Sequence, residues 1–166
     1  MPRKLATFMP ILALGLLLDQ LTKVLVQLKL PLGSQVPLIT GLFNLVHIHN
    51  KGAAFGLLSG WSTEFAWLFF VVTTGLVLGV LGYLLWRLPD DHWPAALGYG
   101  LILTGALGNL IDRVRLGEVV DFIDVYWGRY HWPAFNVADS LVCVGTAFLV
   151  WVIIRDEKTA DASNPV

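Results

Sequence analysis

Charge is what this sequence has least of. Lys, Arg, Asp and Glu supply 14% of its 166 residues and hydrophobic residues 56%, where a soluble domain carries about 25% charged residues. Together with a mean hydropathy of +0.69, this excludes an ordinary soluble fold and points to an integral membrane protein. Cysteine is almost missing. The single residue, Cys143, sits in an apolar run, which excludes an intrachain disulfide framework and reads as a small hydrophobe rather than a reactive thiol. No basic cluster is present, which argues against nucleic acid as a partner. A cleavage site is also lacking: MPRKLATFMPILALGLLL imitates a secretion signal but runs into DQLTK, so it reads as an uncleaved first membrane helix.

What the chain does have is long apolar runs. About 20 such residues cross the ~30 Å hydrocarbon core, and four segments meet the need, at about 5–28, 64–87, 93–113 and 136–155. The expected architecture is therefore an integral membrane, mainly α, single domain over 1–166 with four transmembrane helices. Between the first and second helices, residues of about 30–60 are rich in proline and glycine punctuation. Parts of Leu42 to Asn50 alternate, with Asn44 and Asn50 facing away from His47 and His49, which predicts a small β-subdomain on one membrane surface. RLPDDH makes a tight turn on the other side. Residues 114–133 form a returning loop whose Tyr126, Trp127, Tyr130 and Trp132 suit an interfacial belt, and residues 156–166 form a tail. Four spans put both termini in one compartment. Charge does not choose which: Arg3, Lys4, Arg87, Arg155 and Lys158 lie on the termini side, and Lys23, Lys29, Lys51, Arg113, Arg115 and Arg129 on the other. Only Arg3 and Lys4, beside the first helix, favour cytoplasmic termini.

Polar groups in a span cost roughly 2.5–3.5 kcal/mol at its centre, which makes them functional candidates. Here they collect at one membrane face: Asp19 and Lys23, Asn50, Asn109, Asp112 and Arg113, Asp121, and Asn136 and Asp139. Gly105, Asn109, Asp112 and Arg113 share one face of the third helix, and Asn136, Asp139 and Ser140 one face of the fourth. Gly105 and Gly108, like the pair Gly75 and Gly79, allow close approach of another backbone. Simpler roles suit several of these. Asp19 and Lys23 are spaced for a structural ion pair, Asp112 can end its helix at the interface, and Asp124 reads as a solvated loop charge. His47 and His49 resemble a metal pair, but no third ligand stands near in sequence, so no metal is expected. Asp121 and Asp139 resist such readings, because VVDFI and NVADSLV place each in an apolar context at the same face. Two carboxylates at a partly dry site share a proton. The ionised member can then activate water while the protonated one hydrogen-bonds the scissile carbonyl.

With DQLTK (Asp19 to Lys23), NKGAAF (Asn50 to Phe55), GALGNLIDR (Gly105 to Arg113), VVDFI (Val119 to Ile123) and FNVADS (Phe135 to Ser140) in this order, the chain resembles the bacterial lipoprotein signal peptidases, signal peptidase II. The resemblance covers nearly the whole chain. It implies an intramembrane aspartic endopeptidase with Asp121 and Asp139 as its catalytic pair. Asn50, Gly52, Gly105, Gly108, Asn109, Arg113, Asn136 and Ala138 would bind substrate or support the site, and Asp19, Lys23 and Asp112 would be structural. It further implies a multi-pass protein of the bacterial inner membrane, with cytoplasmic termini and a site near the periplasmic face. The implied substrates are prolipoproteins bearing a diacylglyceryl-cysteine, cleaved just before that cysteine. Membrane lipids as neighbours, a monomer, no cofactor or metal, and inhibition by globomycin complete the expectation.

Other intramembrane proteases fit poorly, since GLLSG spaces its serine one residue too far for GxSG and GxGD is absent. A small ion-coupled transporter is the rival from another class. Against it, helices two and three hold no acid at mid-membrane. A non-catalytic membrane scaffold that binds through its β-region is the third reading.

Overall fold

The computed structural model describes residues 1–52 and 62–163. Ala53, Ala54 and Phe55 of NKGAAF, and all of GLLSG, lie outside the described residues. Four helices carry the architecture: α1 (Arg3–Lys29), α2 (Thr63–Arg87), α3 (Trp93–Leu116) and α4 (Val137–Ser163). Each contains a stretch long and apolar enough to cross a membrane. Their ends follow local chemistry. Ser62 Oγ accepts the Phe65 amide at 3.3 Å, capping α2. Pro94 occupies the first turn of α3, where its missing N–H leaves nothing unpaired. Gly117 closes α3 at φ 81°, donating its amide to Arg113 O, a left-handed end that glycine adopts without a Cβ penalty.

α3 forms the centre of the bundle because one side of it is built from small residues. Ala95, Ala96, Gly98, Gly100, Gly105 and Gly108 are all buried, so neighbouring backbones come close. A Cβ on Gly98 would stand 2.9 Å from Leu149 Cβ, and one on Gly105 would strike the carbonyl oxygen of Ala138. α2 is the most peripheral helix: Ala66 and Leu85 are its only buried members among the described residues. Leu68, Val72, Leu76 and Val80 are exposed, as lipid-facing side chains should be. Gly75 and Gly79 correct the expectation from sequence, because a Cβ on either meets nothing within 4 Å. Among the described residues they lie on an open face of α2, and no helix approaches them there.

The sheet is larger than a subdomain between the first two helices. β1 (Gln35–Ile39) and β2 (Phe43–Asn50) come from that region, but β3 (Val119–Trp127) and β4 (Tyr130–His131) come from the stretch read as a loop. All four run antiparallel in the order β1-β2-β3-β4. VVDFIDVYW becomes a strand because β2 offers it a free edge, pairing Asn50 with Val119 through to Phe43 with Val125. The β2–β3 register shifts between Leu45 and Ile48, a bulge that re-aims side chains. Strict alternation is thereby broken, and Asn44 and His47 are both buried.

Asp124 is the second correction: it is 6% exposed, accepting Asn44 Nδ2 at 2.7 Å and pairing with His131 Nδ1 at 2.9 Å. Pairing of β3 with β2 and β4 covers it. Cys143, in turn, is exposed on α4 rather than packed inside. At the end of the bundle away from the sheet, Lys4 reaches Asp90 at 3.0 Å and His92 Nε2 reaches Asp156 at 3.0 Å, tying both terminal segments to the α2–α3 turn.

Candidate active site

The polar residues at the sheet end of the bundle form one connected network, built outward from a buried lysine. Lys23, 1% exposed, lies between Asp19 (0%) and Asp112 (2%), with Nζ 3.0 Å from Asp19 Oδ2 and 2.9 Å from Asp112 Oδ2. Burying such charges is tolerable only when their remaining hydrogen bonds are satisfied, and they are. Asp19 Oδ1 accepts the Ala138 amide at 2.9 Å, Asp112 Oδ2 accepts the Val120 amide at 3.2 Å, and Gln20 Nε2 donates to both carboxylates at 3.0 Å. The cluster thus fastens α1 to α3, to the start of α4 and to the start of β3. Gly108 makes room for it, since a Cβ there would lie 2.6 Å from Asp19 Oδ2.

Asp139 enters through a helix cap. Asn136 precedes the first residue of α4; its Oδ1 accepts the Asp139 amide at 3.0 Å, while Asp139 Oδ2 accepts the Asn136 amide at 3.2 Å. This reciprocal pair follows capping-box logic with an aspartate in the third position, and it fixes where the carboxylate points. Asp121 arrives on β3, opposite Ile48 of β2. Its Oδ1 accepts Asn136 Nδ2 at 2.8 Å and its Oδ2 accepts Asn50 Nδ2 at 2.9 Å. Asn136 therefore holds both carboxylates, one through its amide side chain and one through its backbone.

Three side-chain amides face the two carboxylates, and each is oriented by a donor behind it. Lys23 Nζ donates to Asn109 Oδ1 at 3.0 Å, leaving Nδ2 to donate to Asp139 Oδ1 at 2.7 Å. The Gly52 amide donates to Asn50 Oδ1 at 2.7 Å, which turns the Asn50 NH₂ to Asp121. The Asp139 amide does the same for Asn136. Ammonium and backbone N–H groups can only donate, so the amide orientation is forced. Gly52 itself is at φ 94°, a backbone conformation suited to glycine, and a Cβ would strike the Phe70 ring.

The two carboxylates line one cavity of 640 Å³, together with Ile48 to Lys51 and Trp132 to Phe135. Asp139 also borders a second, of 320 Å³, walled by Thr73, Val77, Ala106, Val142 and Cys143 between α2, α3 and α4. Burial pushes the Asp121 carboxyl up to about 7; the Asn50 hydrogen bond opposes that, Asp139 nearby adds to it, and Asn136 and Lys23 oppose it. A carboxyl group poised there can carry a proton near neutral pH and release it.

The structure thus places Asp121, Asp139, Asn50, Asn109 and Asn136 in one hydrogen-bonded group, with Gly52, Gly105, Gly108 and Ala138 providing backbone contacts around it. Arg113 stands apart. Its guanidinium lies 4.9 Å from the Phe70 ring centre, and among the described residues it ion-pairs with neither carboxylate. Sequence reading gave no role to Gln20, Trp67 or Phe70. Gln20 closes the buried ion cluster, Trp67 Nε1 donates to Arg113 O at 2.7 Å, and Phe70 packs between Gly52 and Arg113. Gln20 neighbours Asp19 in DQLTK and was open to detection. The two aromatics sit in an apolar helix that gives no local sign of their partners.

Comparison with known proteins gives the family and the overall fold. The family model described as signal peptidase (SPase) II matches residues 11–155. The lipoprotein signal peptidase of Geobacter sulfurreducens is 51% identical over 144 residues, 87% of this chain and 89% of that protein. That of Geobacter metallireducens is 46% identical over 157 residues, 95% and 96% of the two chains. A bacterial membrane enzyme solved by the in meso method at 2.3 Å resolution superposes with a TM-score of 0.82 at 32% identity, covering 93% of this chain and 91% of that one. A second, at 1.9 Å, gives 0.80 at 33% identity, covering 91% and 94%. A four-helix membrane peptidase with this network at one end has one reading at the level of family: the chain belongs to the lipoprotein signal peptidases, signal peptidase II.

Proposed function

We propose that this peptidase works by an aspartic mechanism in which Asp121 and Asp139 share one proton and cleave a prolipoprotein just before its diacylglyceryl-modified cysteine. The observation that carries the reading is Asn136, whose side-chain NH₂ donates to Asp121 and whose backbone N–H donates to Asp139, so that two carboxylates from separate segments meet at the wall of one cavity. Because burial favours the neutral form of Asp121, the resting proton of the pair belongs on Asp121. Asp139 takes a proton from water as the water attacks the carbonyl, while Asp121 donates its hydrogen bond to the carbonyl oxygen. Proton return to the departing amine completes the cycle, and the pair titrates as a unit. Asn50 and Asn109 hold the carboxylates in place; Arg113, on the wall of the smaller cavity, meets the substrate.

The apolar-walled cavity between α2 and α4 suits lipid-modified substrate, whose acyl chains can stay in the bilayer while the peptide reaches the pair. The protein acts as a monomer in the inner membrane, over one domain of residues 1–166. Its termini are cytoplasmic and its sheet lies at the periplasmic surface. No step needs a cofactor. The test is to incubate the purified protein with a diacylglyceryl-modified prolipoprotein and weigh the products. Expected are a free signal peptide and a chain beginning at the modified cysteine, with neither formed when globomycin is present. Cleavage at another bond, or of unmodified substrate at an equal rate, contradicts the proposal.

A further inference from the structure

The hydrogen bond that aims Asn50 at Asp121 is a local one. The Gly52 amide donates to Asn50 Oδ1, two residues earlier, at 2.7 Å, an Asx turn of the kind that short loops form. β2 ends at Asn50, opposite Val119, so the sheet ladder does not hold Gly52. A single hydrogen bond of this kind adds little net stability. Yet the turn has to stay closed if Asn50 Nδ2 is to remain on Asp121 Oδ2 at 2.9 Å.

Phe70 stands where support for that turn is needed. It belongs to α2, whose exposed side chains mostly face lipid. A Cβ on Gly52 would strike the Cδ2, Cε2 and Cζ atoms of the Phe70 ring. The glycine backbone therefore lies flush against the ring and cannot swing towards α2. The ring is itself held by its other neighbours. Phe69 meets it edge-on, with ring centres 5.3 Å apart and planes at 78°. The Arg113 guanidinium lies 4.9 Å from its centre, within cation–π range. About one turn earlier, Trp67 Nε1 donates to Arg113 O at 2.7 Å, which fastens this end of α2 to α3.

We infer, on the aspartic mechanism proposed above, that Phe70 is a positioning residue for cleavage, seating Gly52 so that Asn50 keeps its NH₂ on Asp121. Phe70 lines neither cavity bordered by Asp139 and described above, so its influence on rate passes through its neighbours. Two routes leave the ring. One runs through Gly52 and Asn50 to Asp121; the other runs to Arg113, which meets the substrate. The first acts on the chemical step and the second on binding, and this difference lets an experiment separate them.

The test is single-turnover cleavage of diacylglyceryl-modified prolipoprotein by the full-length protein in micelles. Saturating enzyme removes effects on binding that pass through Arg113. Phe70→Ala should slow cleavage by about tenfold or more, as misplaced site groups do. Made in an Asn50→Ala background, where no amide is left to aim, the same change should slow it by only about twofold or less. Phe70→Leu, which keeps some bulk over Gly52, should lose less than Phe70→Ala. Leu76→Ala, an equal truncation on the exposed face of α2, should cleave as the parent does. Thermal unfolding checks each fold, and Phe70→Leu carries the same cycle with Asn50→Ala if Phe70→Ala is unstable. Losses that multiply in the double variant would show a merely structural role and overturn the inference, as would a folded Phe70→Ala that cleaves at the parental rate. Asp121→Asn, run alongside, tests the aspartic mechanism separately. Its loss of cleavage together with multiplying losses at Phe70 and Asn50 would leave that mechanism standing and remove Phe70 from it.

Discussion

At the scale of single residues, the site depends on which way three amides point. Asn50, Asn109 and Asn136 each offer NH₂ to a carboxylate because a donor occupies the oxygen. An amide free to rotate could present either end, so preorganisation here comes from Lys23, Gly52 and the α4 backbone. Sequence reading found these asparagines by their depth in the chain's apolar surroundings. It could not find their orientation, which rests on partners as distant as Lys23 and Asn109.

Asn50 permits a pH prediction. Its hydrogen bond favours ionised Asp121 and opposes the rise to about 7. Asn50→Ala removes that opposition, so the Asp121 proton is held more tightly and is lost only at higher pH. Under the shared-proton mechanism, activity falls when that proton leaves. The basic limb of the kcat/KM profile, near pH 7 in the parent, should therefore move upward in Asn50→Ala; a limb that stays or moves down opposes the assignment of the proton to Asp121.

At the scale of elements, helices and their glycines separate cleanly into legible and illegible parts. The four spans were readable because lipid demands long apolar runs. The polar ends of α1, α3 and α4 were readable because such groups are costly there. β3 was not, because a strand in VVDFIDVYW exists only when β2 lies alongside it. The burial of Asp124 depends likewise on Asn44 and His131. Glycines look alike in sequence, yet Gly105 faces Ala138 and Val142 while Gly75 faces open space. Gly105→Ala should thus cost about 1–3 kcal/mol through overpacking between α3 and α4. Gly75→Ala should be neutral or stabilising by up to about 1 kcal/mol, since a mid-helix glycine gives up entropy that alanine does not. Unfolding of both variants in mild detergent measures the contrast.

At the scale of the whole molecule, the fold is a bundle with two unlike ends. One end carries the sheet, both cavities named above and the carboxylate network; the other carries the α2–α3 turn and the terminal segments held by Lys4 and His92. Charge alone does not orient it, since basic residues divide nearly evenly between the ends. With cytoplasmic termini, a cysteine at Gly128 in a Cys143→Ala background should react in intact spheroplasts with a reagent that cannot cross the membrane. One at Asp90 should react only after lysis, and the reverse pattern would invert the topology.

The measurement that bears most directly on the carboxylate pair is single-turnover cleavage of lipid-modified prolipoprotein by Asp121→Asn and Asp139→Asn. Each replaces one carboxyl oxygen by NH₂ and removes its proton chemistry while keeping nearly the same shape. General acid–base catalysis contributes about 10²–10⁴-fold, so each variant should lose at least that much rate while unfolding at a temperature close to the parent's. A folded variant of either kind that cleaves near the parental rate would show that the two aspartates do not act together on the peptide bond.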